Sequence, residues 1–190
     1  MAKIIQKTLP NILTSFRCIS ALIVPFLIVY GDEIGAILAP VIFIIACFTD
    51  FFDGYFARKY NVVSNYGRII DPVADKMLVV GTLFALCSEN FFNYHYTFIP
   101  TFLIIIREIF ISGLREQVAA NKSIIHVSIL AKWKTTFQMI ACSSYLILRS
   151  HEYFFNSLVV EYICIMLIWF AAFITIITCY DYLKQVWSKL

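Results

Sequence analysis

The composition of this 190-residue chain excludes a soluble globular domain. Hydrophobic residues make up 61% of it and charged residues 14%, against roughly 25% charged in an ordinary soluble domain. A globule of this size lacks the interior volume to bury so much apolar surface, so another apolar phase must take it up. The net charge is +3, and the sequence has no Lys/Arg run of the kind that binds nucleic acid. We therefore expect a membrane protein with no nucleic-acid partner.

Six apolar stretches are each long enough to cross a bilayer as a helix, which takes about 20 residues. Polar, turn-like joints separate several of them, and no domain linker interrupts the chain. The sequence therefore predicts an all-α polytopic membrane protein with six transmembrane helices in one domain covering residues 1–190. The predicted spans, good to a few residues, are 12–30, 34–57, 68–88, 97–117, 124–148 and 157–181.

The distribution of positive charge predicts the orientation of these helices. With the N-terminus in the cytoplasm, 14 of the 15 Lys and Arg residues fall on the inner side, and Arg149 alone falls outside, as the positive-inside rule requires. Six spans then place both termini in the cytoplasm. We expect the cytoplasmic membrane of a bacterium, although a mitochondrial inner membrane would use the same signals.

The second predicted helix ends in an acidic stripe. Asp50, Asp53, Gly54 and Ala57 stand at positions i, i+3, i+4 and i+7, which share one face of a helix. Charged groups at membrane depth are costly, so they are candidates for function by default. The small Gly54 and Ala57 allow a ligand or another helix to approach closely.

The third predicted helix carries a matching stripe. Gly67, Asp71 and Asp75 stand at i, i+4 and i+8, and the polar segment 58–67 forms a short cytoplasmic turn. This turn returns the third helix antiparallel to the second, so that the two stripes can face each other. Pro72 disfavours helical backbone at Asp71, and we expect the third helix to start near this proline or to be kinked there.

Four converging carboxylates repel one another unless some stay protonated or a metal ion binds. Ligands that are all oxygen favour Mg²⁺, Mn²⁺ or Ca²⁺ over zinc, and Mg²⁺ held by carboxylates commonly contacts substrate phosphates as well. Two such ions in one site stabilise both the attacking and the leaving oxygens of a phosphoryl displacement. In the alternative interpretation, the carboxylates pair with Arg58, Arg68 and Lys76 without a metal.

The residues of the two acidic stripes, together with Arg58, resemble the signature of the CDP-alcohol phosphatidyltransferase family at every position. In this sequence the signature residues are Asp50, Asp53, Gly54, Ala57, Arg58, Gly67, Asp71 and Asp75. Residues 10–17 resemble the N-terminal helix motif of its bacterial members. Residues 106–116 and 132–138 resemble one branch of the family, the enzymes that form phosphatidylglycerophosphate. Together these segments extend over about residues 10–140, while the last helix is similar only in character.

The resemblance implies transfer of a phosphatidyl group from CDP-diacylglycerol to an alcohol, with release of CMP, by a homodimer that uses two Mg²⁺ or Mn²⁺ ions. Asp75 would be the general base, and the ions would be held by Asp50, Asp53, Asp71 and Asp75. The nucleotide would be bound by Asn11, Thr14, Asp50, Asp53, Gly54, Ala57, Arg58 and Gly67. For Asn11 and Thr14, the alternative is a helix N-cap, where both residue types are common.

Basic residues on the fourth and fifth helices predict the nature of the acceptor. Arg107 and Arg115 are eight residues apart and share roughly one helix face, and Lys132 and Lys134 begin the next inner segment. Arginine suits phosphate because its planar fork binds two oxygens. These four residues predict a pocket for an acceptor that carries a phosphate, such as glycerol 3-phosphate. Alternatively they follow the positive-inside rule or pair with acids, and we expect Glu108 to be a structural partner of Arg107.

Two other functions remain open at this stage. Sister transferases use other acceptors, among them inositol phosphate, phosphatidylglycerol and serine. A divalent-cation transporter could also contain buried acids, but it predicts acids spread through the membrane depth, whereas all four aspartates cluster at one end.

Overall fold

A computed structural model of the chain describes residues 2–60, 65–88, 94–120, 129–152 and 158–187. Side chains are described for residues 11–50, 67, 69–88, 96–118, 130, 133–150 and 158–187. This part of the chain forms six α-helices and no strand, which confirms the all-α prediction. The helices are α1 (Ala2–Tyr30), α2 (Glu33–Tyr60), α3 (Asn65–Leu86), α4 (Tyr94–Ala120), α5 (Ile129–Glu152) and α6 (Leu158–Trp187).

Helix α3 begins earlier than expected. It starts at Asn65 and continues through Asp71 and Pro72, so the predicted start near the proline is wrong, and the alternative of a kink at the proline stays a prediction. A proline at this position removes the backbone hydrogen bond to the carbonyl of Arg68 and crowds that carbonyl, and packing of α3 against α1 offsets this cost. Residues 124–128 of the fifth predicted span lie outside the described residues.

Four helices contain segments that are long and apolar enough to cross a membrane: Asn11–Tyr30, Glu33–Asp50, Tyr96–Val118 and Leu158–Trp187. In the described residues α3 and α5 do not meet this criterion, because polar and charged groups interrupt them. They have 22 and 24 residues, or about 33–36 Å of helix, which also reaches across a hydrocarbon core of about 30 Å. Large apolar side chains such as Phe26, Phe84, Met166 and Phe173 are exposed, as contact with lipid requires.

Helix α1 packs against both α2 and α3, while α6 packs against α4 and α5. The two groups meet through α2 and α5 and through contacts of α3 with α4 and α5. The core between them includes the buried side chains of Val24, Phe43, Leu78, Leu146 and Ile168. Helices α2 and α3 make little direct contact with each other. Helix α1, which packs against both of them, instead holds their acidic stripes near each other.

A short turn at residues 31–32 joins α1 and α2, as expected for a polar joint between two apolar stretches. Gly31 N donates to the Leu27 carbonyl (3.2 Å), and Ala36 N donates to the Asp32 carbonyl (3.0 Å). A Cβ atom on Gly31 would lie 2.4 Å from the Leu27 carbonyl oxygen, so the turn requires glycine there. The buried Arg149 donates from Nη2 to the Ile28 and Gly31 carbonyls (2.7 and 3.2 Å) and so caps the C-terminal end of α1, where a cation is favourable.

Candidate active site

Arg17 of α1 brings carboxylates of α2 and α3 together. Its side chain is fully buried, and its Nη1 atom contacts Oδ1 of Asp50 at 2.7 Å and Oδ1 of Asp75 at 2.9 Å. Because one nitrogen makes both contacts, the two oxygens are separated by no more than the sum of these distances. The side chains of Asp50 and Asp75 remain 34% and 30% exposed, so a ligand can still reach them.

Thr14 lies one helical turn before Arg17 on α1 and is buried. Its Oγ1 donates to Oδ1 of Asp71 at 2.6 Å. Two side chains of α1 therefore hold the two aspartates of α3. The alternative that Asn11 and Thr14 cap a helix is wrong, because α1 begins at Ala2 and both residues lie inside it.

The backbone of α2 is helical through Tyr60, so Asp53, Gly54 and Ala57 share the helix face of Asp50. The side chains of these residues and of Arg58 lie outside those described. Gly67 is buried in the first turns of α3. The predicted nucleotide-binding residues thus occupy the end of α2, the start of α3 and the facing part of α1.

The chemistry of the described carboxylates suits binding of a divalent metal ion. Asp50, Asp71 and Asp75 offer only oxygen ligands, which Mg²⁺ and Mn²⁺ prefer. Among the described side chains, no group of three or more His, Cys, Asp or Glu converges on one point, and the side chain of Asp53 is not part of that set. A site in which the protein supplies only some of the metal ligands suits Mg²⁺, because this ion keeps water and substrate phosphates as its other ligands.

A cavity of about 260 Å³ adjoins the carboxylates, between α3, α4 and α5. Asp71 and Asp75 line it, as do three of the four residues predicted for the acceptor phosphate: Arg107, Arg115 and Lys134. The fourth, Lys132, has its side chain outside the described set. The predicted base, Asp75, and three of the four predicted phosphate-binding residues therefore line the same cavity.

The negative charge of Glu108 partly compensates the positive charges of Arg107 and Lys134. Its Oε1 accepts hydrogen bonds from Lys134 Nζ, from Gln138 Nε2 (3.2 Å) and from Arg107 Nη1 (3.3 Å). Arg107 also donates from Nη2 to Thr178 Oγ1 of α6 (3.2 Å). Glu108 and Lys134 are buried, and burying either charge without its partner would be strongly destabilising. Glu108 is thus the structural partner of Arg107 that the sequence predicted.

The structure adds cavity residues that the sequence analysis did not assign. Lys76 Nζ donates to Ser112 Oγ at 2.5 Å, and both residues line the cavity together with Thr135. The available signal was the position of Lys76 directly after Asp75. Arg17 belongs to the motif at residues 10–17, but no partner was predicted for it, although an arginine at membrane depth requires a partner or a cavity.

These features define a polytopic α-helical membrane protein in which carboxylates and a basic cavity form one polar site. The sequence model described as CDP-alcohol phosphatidyltransferase matches residues 7–177, and the chain belongs to this family. Members of the family generally use divalent metal ions.

Three bacterial relatives carry the name CDP-diacylglycerol–glycerol-3-phosphate 3-phosphatidyltransferase. The chain is 39% identical to that of Rickettsia bellii over 180 residues, which cover 95% of this chain and 96% of the relative. Identity to that of Rickettsia prowazekii is 41% over 181 residues, covering 95% and 96%. Identity to that of Haemophilus influenzae is 39% over 181 residues, covering 93% and 91%.

Proposed function

We propose that this protein transfers the phosphatidyl group of CDP-diacylglycerol to sn-glycerol 3-phosphate, giving phosphatidylglycerophosphate and CMP. The bond from the acceptor oxygen to the lipid-bearing phosphorus forms as the bond from that phosphorus to the CMP oxygen breaks. Family membership and the common name of relatives aligned along almost the whole chain support this reaction.

The donor's diphosphate end would bind where α1, α2 and α3 meet. Asp50, Asp53, Asp71 and Asp75 would hold two Mg²⁺ or Mn²⁺ ions, which when bound neutralise charge on the diphosphate and on the departing CMP. The small residues of the signature would leave room for the nucleotide, and an arginine and two polar side chains would contact it. These six residues are Asn11, Thr14, Gly54, Ala57, Arg58 and Gly67.

Asp75 would be the general base that accepts the proton of the acceptor hydroxyl. It lines the cavity, and in the metal-free protein its contact with Arg17 orients the carboxylate. A positioned carboxylate in this role contributes typically 10²–10⁴-fold to a rate. The acceptor hydroxyl would therefore lie at the wall of the cavity that Asp75 forms.

One observation carries the choice of acceptor: Asp75 of α3 and cationic side chains of α3, α4 and α5 line the same cavity. An acceptor with a phosphate at one end and a hydroxyl at the other matches this arrangement. Glu108 offsets much of the charge of Arg107 and Lys134, so Arg115 and Lys76 would supply most of the attraction. Lys132 is part of the same proposed phosphate site.

The positive charges of the chain also bear on where the reaction occurs. The protein would span the cytoplasmic membrane of a bacterium as a homodimer, with both termini and the active site on the cytoplasmic side. The excess of Lys and Arg on that side supports this orientation, and glycerol 3-phosphate is a water-soluble substrate.

Replacement of Arg115 tests the acceptor site. Loss of a charge-assisted hydrogen bond costs about 1.5–3 kcal/mol, so we expect Arg115→Ala to raise the KM for glycerol 3-phosphate roughly 10- to 100-fold. The KM for CDP-diacylglycerol should change little. Steady-state CMP release, with each substrate varied in turn, measures both constants.

Lys184→Ala is the matched control, because Lys184 is an exposed cation of α6 that does not line the cavity. This variant removes the same charge and should leave both KM values near those of the unmodified protein. Equal increases in the two KM values of Arg115→Ala would contradict the assignment of Arg115 to the acceptor phosphate.

A further inference from the structure

Arg17 is a permanent positive charge inside the carboxylate site. It is fully buried, and its Nη1 contacts both Asp50 Oδ1 and Asp75 Oδ1. An arginine side chain stays protonated in proteins, so it compensates negative charge there without any bound ion. The proposed reaction gives this buried cation no part beyond orienting Asp75.

A divalent ion on the same carboxylates would lie close to this guanidinium. The Mg²⁺–oxygen distance is 2.0–2.1 Å, so an ion on either contacting oxygen would lie within about 5 Å of Nη1. Like charges at this separation repel each other. The repulsion is screened only weakly, because water does not reach the Arg17 side chain.

We propose that Arg17 is an internal counter-cation that competes with divalent ions for Asp50 and Asp75. In the metal-free protein it offsets the repulsion between the two carboxylates and thereby ties α2 and α3 to α1. When an ion binds, the hold of Arg17 on these carboxylates weakens. The inference rests on the proposed function in taking Asp50 and Asp75 as metal ligands.

This competition would couple ion binding to donor binding. The diphosphate of CDP-diacylglycerol brings further oxygen ligands and negative charge, which offset the repulsion from Arg17. Ions would then bind weakly to the protein alone and tightly together with the donor. Arg17 would thus keep the site from filling with metal before the substrate is present.

The test measures Mg²⁺ binding to the purified full chain in detergent after removal of metals by a chelator. We expect Arg17→Gln to tighten the Kd for Mg²⁺ alone roughly tenfold, as loss of a close like charge predicts. The same variant should lower the Tm of the metal-free protein, and saturating Mg²⁺ should raise its Tm by more than it raises that of the unmodified protein. Calorimetric titration and thermal unfolding supply these values without any measurement of turnover.

Arg149→Gln is the matched control. It removes another buried arginine, which contacts the Ile28 and Gly31 carbonyls at the other end of α1, about 16 Å along the helix from Arg17. This variant should lower the Tm while leaving both the Kd for Mg²⁺ and the Mg²⁺-dependent rise in Tm unchanged.

Unchanged or weaker Mg²⁺ binding in Arg17→Gln would overturn the inference. If this variant does not accumulate, a structure of the unmodified protein with Mn²⁺ on Asp50 and Asp75 decides: we expect at least one Arg17 contact to lengthen beyond hydrogen-bond distance, and retention of both contacts would overturn the inference. Absence of Mg²⁺ binding to the unmodified protein, even with CDP-diacylglycerol, would overturn the proposed metal site and the inference with it.

Discussion

At the scale of single residues, side chains of α1 position the acidic groups of the neighbouring helices. Thr14 and Arg17 stand three residues apart, so they project from the same side of α1, and they contact Asp71, Asp50 and Asp75. A buried arginine without carboxylate partners would be costly, so these aspartates stabilise the packing of α1 against α2 and α3. The same contacts that stabilise the bundle therefore also assemble the candidate site.

Replacement of Asp75 tests the assignment of the base. Asp75→Asn keeps the size of the side chain but removes its ability to accept a proton, so we expect kcat to fall by a factor of about 10²–10⁴. Binding of CDP-diacylglycerol should change far less, because Asp50, Asp53 and Asp71 remain. Single-turnover CMP release and equilibrium binding of the donor separate the two effects.

Asp32→Asn provides the control for Asp75→Asn, since it makes the same chemical change at an exposed carboxylate beyond the far end of α1. Asparagine caps helices as well as aspartate does, so α2 should begin as before and turnover should persist. Near-normal kcat in Asp75→Asn would show that another group accepts the proton.

The sequence predicted the aspartates and the cations by spacing, but of their pairs it predicted only that of Arg107 with Glu108. Intervals of three, four and eight residues determine which side chains share a helix face. The contact of Arg17 with Asp50 and Asp75 depends instead on the rotation of α1 against two other helices. The pair of Lys134 and Glu108 likewise joins residues far apart in the chain, and no local pattern encodes it.

At the scale of elements, close approach between helices depends on small residues. A Cβ atom on Gly81 of α3 would lie 3.3 Å from Pro25 Cγ of α1, so glycine lets these two helices pack tightly. Gly31 has the corresponding role in the turn between α1 and α2. Because α1 carries Thr14 and Arg17, its packing on α2 and α3 sets the geometry of the site.

Replacement of Gly31 tests the turn. Its Cβ atom would meet the Leu27 carbonyl oxygen at 2.4 Å and Gly35 Cα at 2.7 Å, and backbone atoms yield less readily than side chains. We expect Gly31→Ala to destabilise the protein by about 1–3 kcal/mol, measured as a lower Tm in detergent.

Gly113→Ala is the control for this turn variant. A Cβ atom on Gly113 would meet no atom within 4 Å, and alanine favours a helix over glycine by about 1 kcal/mol. Its Tm should be unchanged or higher. A Tm of Gly31→Ala equal to that of Gly113→Ala would contradict the tight turn.

The apolar stretches of the sequence predicted that the six helices exist, but they did not predict where each helix begins and ends. The predicted span 12–30 agrees with the apolar segment Asn11–Tyr30, whereas helix α1 itself begins earlier, at Ala2. For α3, the local effect of Pro72 was outweighed by tertiary packing on α1. Both differences arise because a helix can extend beyond its apolar segment.

At the scale of the whole molecule, the candidate site lies where the two groups of helices meet. Helices α1, α2 and α3 supply the carboxylates, while α4 and α5 supply most of the basic wall, which α6 supports through Thr175 and Thr178. Asp75 belongs to both regions, since it contacts Arg17 and lines the cavity. We therefore expect the carboxylate site for a lipid nucleotide to open into a pocket for a phosphorylated acceptor.

Release of CMP by the purified protein tests this claim most directly. The assay supplies CDP-diacylglycerol and Mg²⁺ with one acceptor at a time: glycerol 3-phosphate, inositol phosphate, inositol, serine or phosphatidylglycerol. We expect release only with glycerol 3-phosphate, loss of release on chelation, and recovery when Mg²⁺ is restored. Release with another acceptor would contradict the role given to the basic cavity, and no release with any acceptor, in a protein that still binds divalent ions, would favour a cation transporter.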